Sequence, residues 1–240
     1  MFLKTSSKLN TLTHLGIIMD GNRRWAKSKG LDAIKGHKQG IETAKVIIKA
    51  AMEENITFLT LYAFSSENWK RDPSEIKDLM NLLRFFLNNE ISTLSNSGVK
   101  LSILGDLSQF DEDIKNNIKK ASSYNKENFK INLIMAINYG ARQEITKAVK
   151  KICEEVLTKK IPINAINERK IASNLYTNGL PDPDLIIRTG GDSRLSNFLL
   201  WQAAYAELMF FKKTWPDFTK KDFLTAISEF KSRERRFGGH

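Results

Sequence analysis

A carboxylate, a glycine, an amide and two guanidinium groups follow a short apolar run near the start of the chain. Residues 15–19 (LGIIM) predict a short buried strand, and residues 20–24 (DGNRR) come directly after it. Gly21 permits a tight turn, and the helix predicted from Arg23 offers unpaired backbone N–H groups to an anion. Asp20 is placed to hold Mg²⁺ against that anion. The segment therefore predicts a phosphate-binding turn, and an ordinary solvated strand–turn–helix is the alternative.

Arginine is scarce in this chain and is concentrated at a few places. The 38 basic residues comprise 27 Lys and 11 Arg. Eight of the arginines form three groups: Arg23, Arg24 and Arg71; Arg188 and Arg194; Arg233, Arg235 and Arg236. A guanidinium group binds phosphate oxygens through two parallel hydrogen bonds, whereas an ammonium group acts as a point charge. The grouping predicts phosphate recognition at these places, with surface ion pairs as the alternative.

The composition is that of an ordinary globular protein with a strong positive charge. The 240 residues are 41% hydrophobic and 27% charged, which suffices for one large core, and no Pro/Gly/Ser-rich linker divides them. The net charge of +11 indicates an anionic partner. The single cysteine, Cys153, excludes a disulfide framework and a cysteine-rich zinc site, and its helical surroundings predict a small core residue.

Two stretches bear on the location of the protein. Residues 1–13 contain no sustained apolar segment, so we expect no signal peptide. The most apolar stretch, residues 197–211, is 15 residues long and includes Gln202 and Glu207, which makes it too short and too polar to span a bilayer. We therefore expect a cytoplasmic protein.

Strand-like and helix-like patterns alternate along the chain. Strands are predicted at residues 15–19, 56–64, 99–104, 130–137, 184–188 and 207–211. Helices are predicted at residues 38–54, 73–95, 111–127 and 140–157, with a short helix after Asn167 and a closing helix from Thr219. This alternation predicts a single α/β domain in which helices flank a central, mostly parallel β-sheet.

The unusual polar residues follow the ends of predicted strands. They are Asp20, residues 65–71, Asp106, residues 138–139 and Arg188. The carboxyl ends of parallel strands meet at one edge of a sheet, where open α/β folds bind their ligands. Five separate segments therefore converge, and this favours an active site over a chance distribution of surface charge.

The predicted helix at residues 73–95 is more apolar than a single buried face requires. Leu82 and Phe85 extend its apolar surface beyond the regular stripe. One interpretation is a helix buried on two sides. The other is that the spare face lines an apolar cavity beside the phosphate site, as an amphiphilic diphosphate substrate would require.

Together these residues resemble the cis-prenyltransferase family of the undecaprenyl diphosphate synthase type. The resemblance extends over residues 14–239. It rests on ordered blocks that include HLGIIMDGNRRWA (14–26), YAFSSENW (62–69), NYG (138–140), IRTGG (187–191), SNFLLWQ (196–202), YAE (205–207) and RERRFGG (233–239). It implies an α/β catalytic domain at residues 14–240, after a tail at residues 1–13, with an apolar tunnel between the sheet and the helices.

The resemblance also implies roles for individual residues. Asp20 matches the aspartate that places Mg²⁺ on the substrate diphosphates, and Glu207 assists the metal site. Asp20 and Asn68 match catalytic residues. The remaining matches are to substrate-binding residues: Gly21, Asn22, Arg23, Arg24, Trp25 and His37 around a farnesyl-type allylic diphosphate; Ser65, Ser66, Glu67, Trp69 and Arg71 in the loop beside the reacting carbons; Arg188, Arg194 and Ser196 for isopentenyl diphosphate.

The implied reaction is Mg²⁺-dependent chain elongation in the cis configuration. Isopentenyl diphosphate units add to the allylic primer and give a long, undecaprenyl-type diphosphate, the precursor of the lipid carrier for cell-wall glycan synthesis. The family works as homodimers, and its Arg-rich C-terminal segment reaches towards the neighbouring active site. No nucleic acid partner is implied, and a transient contact with a membrane surface during product release is left open.

Four questions stay open at this stage, and the first is whether the Arg-rich C-terminal segment acts on its own subunit or on the partner subunit. Ala33 stands where many relatives carry an arginine, four residues before His37, and Lys35 is a nearby cation that would compensate. The proton acceptor is Asp20, His37 or an oxygen of the released diphosphate. The product length depends on packing around Leu82, Phe85, Ile131 and Leu133.

Two other classes of protein share part of this pattern. A Mg²⁺-dependent phosphohydrolase would use Asp20 and the grouped arginines but needs no apolar helix face. A nucleic-acid-binding protein would use the net charge of +11, but its aromatic residues would be interleaved with a basic face. Transfer of isopentenyl units into lipid, release of phosphate and retention of nucleic acid distinguish the three classes.

Overall fold

Six strands form one parallel sheet in the computed structural model, which describes residues 11–124 and 128–233. The strands are β1 (His14–Ile18), β2 (Phe58–Ser65), β3 (Val99–Leu104), β4 (Ile131–Tyr139), β5 (Leu185–Arg188) and β6 (Glu207–Phe210). Their order across the sheet is β3-β4-β2-β1-β5-β6, and every neighbouring pair is parallel. The predicted α/β domain is confirmed.

Eight α-helices flank the strands in these ranges. They are α1 (Asn22–Ser28), α2 (Ala33–Glu53), α3 (Pro73–Phe85), α4 (Ile91–Asn96), α5 (Glu112–Ser123), α6 (Ala141–Leu157), α7 (Glu168–Ala172) and α8 (Lys220–Ser232). A 3₁₀ turn at Ser66–Lys70 follows β2. Side-chain caps fix several helix starts, as Asn167 does for α7 and Thr219 for α8.

The two faces of the sheet carry separate apolar cores. One core joins the sheet to α2, α3 and α8 through buried residues such as Ile47, Met80 and Phe223. The other joins the opposite face to α6 and to residues 195–206, and Phe198 lies at its centre with no exposed surface. Because both faces are covered, the central strands read as nearly continuous apolar runs rather than as alternating ones.

β1 lies inside the sheet, between β2 and β5. The chain passes from β1 to β2 on one side and returns much later to the other side through β5. The carboxyl ends of β1 and β5 therefore form the point at which the winding of the sheet changes direction, where α/β folds open a crevice for ligands. Asp20 follows β1 and Arg188 ends β5, so both lie at this crevice.

The predicted helix at residues 73–95 forms with an interruption. α3 ends at Phe85, a π-helical turn spans Phe86–Glu90, and α4 then begins at Ile91. Leu82 lines an internal apolar cavity, as one interpretation required, whereas Phe85 is 52% exposed and lines an outer groove. Phe85 lies about 60° round the helix axis from Leu82, which places it outside the cavity wall.

Cys153 is exposed, so the expectation of a core residue was wrong. The buried face of α6 is formed by Ala141, Glu144, Ala148 and Ile152. Cys153 directly follows Ile152 and therefore points about 100° away from that face. Helical surroundings alone did not reveal which side of α6 faces the sheet.

The predicted N-terminal tail and the Arg-rich C-terminal segment are described only in part. Residues 1–10 of the predicted tail and residues 234–240 of the Arg-rich C-terminal segment lie outside the described residues. Arg233 is described, and its guanidinium group pairs with Glu207 (2.7 Å) and Glu229 (2.6 Å). Within the described ranges, no helix combines the length and the apolar character needed to cross a bilayer.

Candidate active site

The turn after β1 is held by contacts from two other segments. The Asp20 backbone N–H donates to Thr189 Oγ1 (3.1 Å), and the Thr189 hydroxyl donates to the Asp20 carbonyl (2.8 Å). The Trp215 backbone N–H donates to the same carbonyl (2.8 Å). Gly21 has a φ of 104°, and a Cβ atom there would lie 2.8 Å from Thr214 Cβ, which only glycine avoids. The turn therefore presents the Asp20 carboxylate at a fixed place.

Two guanidinium groups bind the Asp20 carboxylate. Arg188 Nη2 lies 2.8 Å from Oδ2, and Arg24 Nη2 lies 3.0 Å from Oδ1. Partial burial would raise the pKa of Asp20, but the hydrogen bonds from Arg188 and Arg24 outweigh burial and hold this pKa below its ordinary value. Asp20 is therefore ionised at neutral pH and chemically suited to bind a divalent cation.

Arg188 lies deepest among the arginines of the site, with 5% of its side chain exposed. Its Nη1 donates to the Arg194 carbonyl (2.5 Å) and to the Ser196 hydroxyl (2.6 Å), and its Nη2 also donates to Asp192 (3.3 Å). Its Nε atom is buried and has no hydrogen-bond partner among the described residues. These contacts attach the loop after β5 to the carboxyl edge of the sheet.

β2 ends in a capped 3₁₀ turn that carries the next group of predicted residues. The Ser65 hydroxyl accepts from the Glu67 backbone N–H (3.1 Å) and donates to the Glu67 carboxylate, while Asn68 Oδ1 accepts from the Ser65 backbone N–H (3.0 Å). Trp69 Nε1 donates to Asn138 Oδ1 (2.9 Å), which ties the turn to the end of β4. The turn is therefore a structured part of the site rather than a free loop.

Glu75, in the first turn of α3, lies close to the side chains of two arginines and of His37. Its carboxylate lies 2.9 Å from Arg71 Nη1 and 3.3 Å from Arg23 Nη1. His37 Nε2 lies 4.0 Å away, beyond hydrogen-bond distance, and has no partner among the described residues although it is buried. Burial lowers the pKa of His37 to about 4, and the charges of Arg71 and Arg23 act in the same direction, against Glu75. His37 is therefore neutral at physiological pH.

Two spaces of different chemistry adjoin at this edge of the sheet. The polar cleft has a volume of about 750 Å³, and the apolar cavity, about 140 Å³, lies between the sheet, α2 and α3. Met19, Asn22, His37, Ala63 and Leu79 line both of them. The pair of spaces suits a molecule with an anionic head and an apolar body.

Most of the predicted site residues meet in the polar cleft. Its lining includes Asp20, Gly21, Asn22, Arg23, Arg24, His37, Ser65, Glu67, Asn68, Arg71, Arg188 and Ser196. Three of the five converging segments therefore supply the cleft. Asp106 and Asn138 instead line a neighbouring pocket on the far side of the 3₁₀ turn, together with Ser66 and Trp69.

Two further predicted residues, Trp25 and Arg194, do not line the cleft. Trp25 lies in α1 beside an outer groove, and its Nε1–H donates to Asp217 (2.8 Å). Arg194 has 65% of its side chain exposed and pairs with Asp192 (2.9 Å). Lys35, the predicted substitute for the cation missing at Ala33, lines the outer groove and is not among the residues that line the cleft.

Glu207 lies at the amino ends of the parallel strands, whereas Asp20 lies at their carboxyl ends. It begins β6 and is in register with Leu185 at the start of β5, whereas Asp20 follows the end of β1. Its carboxylate pairs with Arg233 (2.7 Å). Within one chain, the structure therefore does not bring the two predicted metal ligands together, because parallel strands separate their first and last residues by the strand length.

Three cleft-side residues escaped the sequence reasoning. Glu75 follows Arg71 at a spacing of four residues, which is a recognisable charge-pair signal, and Asp192 lies between Arg188 and Arg194. Asn197 lines the cleft itself, whereas Glu75 and Asp192 pair with its arginines. The partners of Asn197 are distant in the sequence, so no local pattern identifies it.

Comparison with known proteins identifies the same family that the sequence blocks resemble. Residues 18–238 match the Prenyltransf family, described as "Putative undecaprenyl diphosphate synthase". An isoprenyl transferase of Agrobacterium fabrum is 44% identical over 98% of this chain and 96% of the relative. An isoprenyl transferase of Clostridium perfringens is 48% identical over 94% of this chain and 89% of the relative.

Two solved structures share the fold at moderate sequence identity. Lavandulyl diphosphate synthase from Lavandula x intermedia, in complex with dimethylallyl diphosphate, has a TM-score of 0.92 at 36% identity and covers 95% of this chain and 98% of its own. A "probable undecaprenyl diphosphate synthase" from Campylobacter jejuni has a TM-score of 0.79 at 39% identity and covers 95% of this chain and 99% of its own. The chain thus belongs to the cis-prenyltransferase family of undecaprenyl diphosphate synthases, and it is a prenyltransferase.

Proposed function

We propose that the protein elongates a farnesyl-type allylic diphosphate with isopentenyl diphosphate, in a Mg²⁺-dependent reaction, to a long, cis-linked, undecaprenyl-type diphosphate. The observation that carries this proposal is the wall shared by the polar cleft and the apolar cavity. A prenyl diphosphate has the same two-part chemistry, with a charged head and a hydrocarbon chain. The product would serve as precursor of the lipid carrier for cell-wall glycan synthesis.

Two sets of arginines support two diphosphate positions. Arg23, Arg24 and Arg71 surround the turn after β1 and would bind the allylic diphosphate, together with the backbone at Gly21. Arg188 lies on the other side of Asp20 and would bind isopentenyl diphosphate with Arg194 and Ser196. Guanidinium groups bind phosphate through paired, charge-assisted hydrogen bonds, so each set can hold one diphosphate firmly.

Asp20 suits the role of a magnesium ligand. Its carboxylate is ionised and lies between Arg24 and Arg188, where the two diphosphates would meet. Mg²⁺ usually takes one or two carboxylates and fills its remaining positions with substrate phosphates and water. Bound at Asp20, it would neutralise the charge that develops as diphosphate leaves the allylic carbon.

The condensation needs no nucleophilic side chain. Diphosphate leaves the allylic carbon, and C4, the terminal alkene carbon of isopentenyl diphosphate, forms a bond to that carbon. The positive charge then lies at C3, and C2 beside it loses a proton to form the new double bond. Asn68 and the rest of the 3₁₀ turn would position the reacting carbons. Asp20 is bound by two guanidinium groups and the pKa of His37 is about 4, so both are weak bases. We assign the proton to an oxygen of the released diphosphate.

The edge of the sheet at β6 supports a homodimer. β6 is an edge strand, and four large apolar residues in and before it are exposed: Leu200, Tyr205, Leu208 and Phe210. An apolar edge strand of this kind is typical of a protein interface. Glu207 lies in this strand, so it would assist the metal site of a partner subunit, while the Arg-rich C-terminal segment would supply cationic or backbone donors to the partner's diphosphate site. We propose a cytoplasmic dimer that contacts a membrane surface only to release its product.

A second product class deserves testing because of two observations. The chain superposes on lavandulyl diphosphate synthase with a TM-score of 0.92, and its apolar cavity is only about 140 Å³. Both favour a synthase that stops after a single condensation on a short allylic primer. Elongation to a long chain requires the cavity to widen, and we expect the wall formed by α3 to move, because a π-helical turn follows it at Phe86–Glu90.

Incubation with labelled isopentenyl diphosphate, Mg²⁺ and either farnesyl or dimethylallyl diphosphate tests these alternatives. We expect label in an extracted lipid, with the longest products from the farnesyl primer, and no product after chelation of Mg²⁺. Mass spectrometry of the dephosphorylated lipid gives the chain length. Release of phosphate without lipid would contradict the proposal, and a single short product would favour the second class.

A further inference from the structure

Asn197 joins three segments that are far apart in the sequence. Its amide nitrogen donates to Glu67 Oε1 (2.8 Å) and to Gln143 Oε1 (3.0 Å). Its amide oxygen accepts from the Arg142 backbone N–H (2.8 Å), and its backbone carbonyl accepts from the Ala141 N–H (2.9 Å). One residue therefore connects the 3₁₀ turn after β2, the start of α6 and the loop after β5.

The backbone around Asn197 adopts a costly conformation. Ser196, Asn197 and Leu199 have φ values of 46°, 63° and 45°, in the left-handed region that non-glycine residues rarely occupy. Such backbone persists only where surrounding contacts hold it. Here the contacts are those of Asn197 and the hydrogen bond from Arg188 Nη1 to the Ser196 hydroxyl (2.6 Å).

The start of α6 is built to receive this side chain. Gly140 precedes α6 and supplies no cap of its own. A Cβ atom at Gly140 would lie 2.5 Å from Ser66 Oγ and 2.7 Å from Asn197 Nδ2, so the absence of a side chain makes room for both segments. Asn197 therefore caps α6 from another loop, and the cap exists only while the loops after β2 and β5 are both in place.

The following step rests on the proposed function, in which these two loops bind different substrates. The loop after β2 carries Asn68 beside the reacting carbons, and Arg71 at its end reaches the allylic side through Glu75. The loop after β5 carries Ser196, and Arg188 binds it on the isopentenyl side. We propose that Asn197 is a positioning residue that couples the allylic and the isopentenyl diphosphate pockets.

Coupling follows from the shared cost of ordering the two loops. When one diphosphate binds, it restricts the motion of its own loop, and the hydrogen bonds of Asn197 restrict the motion of the other loop as well. The second diphosphate then binds to a loop that is already partly ordered, so less conformational entropy is lost. The effect is reciprocal, because each ligand must strengthen the other by the same factor. Removing the amide while leaving the backbone conformation allowed should uncouple the pockets.

The test uses the full chain with Mg²⁺ and measures binding by calorimetry. The dissociation constant of isopentenyl diphosphate is determined with and without an allylic thiodiphosphate, which binds without reacting, and the reverse pair is measured as well. In the wild type we expect each ligand to tighten the other at least about fivefold. In Asn197→Gly, which keeps the left-handed backbone available, the factor should fall to about one. A wild-type factor of about one, or an unchanged factor in the variant, would overturn the proposal.

A second pair of variants separates coupling from general stability. Asn197→Asp keeps the acceptor for the Arg142 N–H but sets a carboxylate against Glu67, so α6 stays capped while the link between the loops is broken. Adding Glu67→Gln restores a hydrogen bond of reversed direction. We expect the coupling factor to fall in the single variant and to recover in the double variant, at similar melting temperatures. Failure to recover in a folded double variant would reduce Asn197 to a structural cap.

The outcome for Asn197 is separable from that for the proposed function. A wild-type enzyme that condenses the substrates but shows no loss of coupling on substitution would refute the inference alone. A wild-type enzyme that makes no lipid product would refute the proposed function, whatever the binding data show.

Discussion

The polar cleft and the apolar cavity share a wall but are built from different parts of the chain. The cleft takes its residues from turns and helix starts that follow strand ends, such as Asp20, Ser65 and Ser196. The cavity takes its residues from the middle of strands and helices, such as Leu61, Leu133 and Leu83. Cleft residues can therefore change with little effect on the core, whereas every change in the cavity also changes core packing. Chemistry and product size are consequently separable by substitution.

The largest expected effect is at Asp20, the proposed metal ligand. Asp20→Asn keeps the side-chain volume but removes the charge, and we expect turnover to fall roughly a thousandfold, the upper range for loss of one electrostatic group. Asp192→Asn is the matched control, because Asp192 pairs with the same Arg24 and Arg188. Steady-state rates over a Mg²⁺ titration measure both. Equal losses in the two variants would show that pairing with arginines, rather than placing the metal, carries the effect.

The next effect distinguishes the two proposed diphosphate positions. Arg188→Ala and Arg194→Ala should weaken isopentenyl diphosphate by about ten- to a hundredfold, the value of one charged hydrogen bond of 1.5–3 kcal/mol, with little effect on the allylic primer. Arg188→Ala should cost more, because Arg188 is 5% exposed and Arg194 is 65% exposed. Arg24→Ala should show the opposite preference. Apparent KM values for both substrates test this prediction. Equal increases in the two KM values would refute separate binding positions.

Changes in the cavity should alter product length more than rate. Leu133 is fully buried against the cavity, so Leu133→Ala should lengthen the product distribution while lowering the free energy of unfolding by about 2–5 kcal/mol. Ala44→Leu, on α2, fills the same space and should shorten the products. Chromatography of the labelled lipids and urea denaturation give the two quantities. A shift in the same direction for both variants would remove the cavity as the determinant of length.

The last effect concerns the wall between the two spaces and is absent at neutral pH. His37 has a pKa of about 4 when folded against an ordinary value of 6.5, so the unfolded chain binds its proton first as the pH falls. Stability is then fully present above pH 6.5 and declines towards pH 4, by on the order of 3 kcal/mol for this group. NMR titration of the imidazole reports the pKa, and His37→Gln should flatten this part of the pH–stability curve. An imidazole that titrates near 6.5 would contradict the neutral His37.

The cleft was largely predictable from the sequence because its residues follow strand ends. A parallel sheet brings those ends together whatever its strand order, and this is why Asp20, Asn68 and Arg188 were found. The position of Glu207 was not predictable in the same way. Its distance from Asp20 depends on whether it lies at the amino or the carboxyl end of β6. The predicted strand at residues 207–211 does not show whether its first residue lies near the carboxyl ends of the other strands, where the site is.

The exposed faces of helices were the other source of error. Cys153 and Phe85 both lie in correctly predicted helical segments, and both are exposed. The pattern of apolar residues did not distinguish the exposed side of either helix from its buried side. Asn197 escaped for a further reason, since its four hydrogen bonds all reach residues at least 54 positions away. Contacts of this kind depend on the assembled fold and leave no periodic trace.

The π-helical turn at Phe86–Glu90 has a consequence for how the chain tolerates insertions and deletions. Leu83, Leu87 and Ile91 recur at intervals of four residues, and in an α-helix each such step overshoots a full turn by about 40°. The wider turn takes up the excess, so that Leu87 and Ile91 are both buried. Deleting one of the exposed residues Asn88 or Asn89 would restore an ordinary α-helical spacing without reversing the face that α4 buries. This turn is therefore where the helix already accommodates one extra residue and can lose it while its core stays in register.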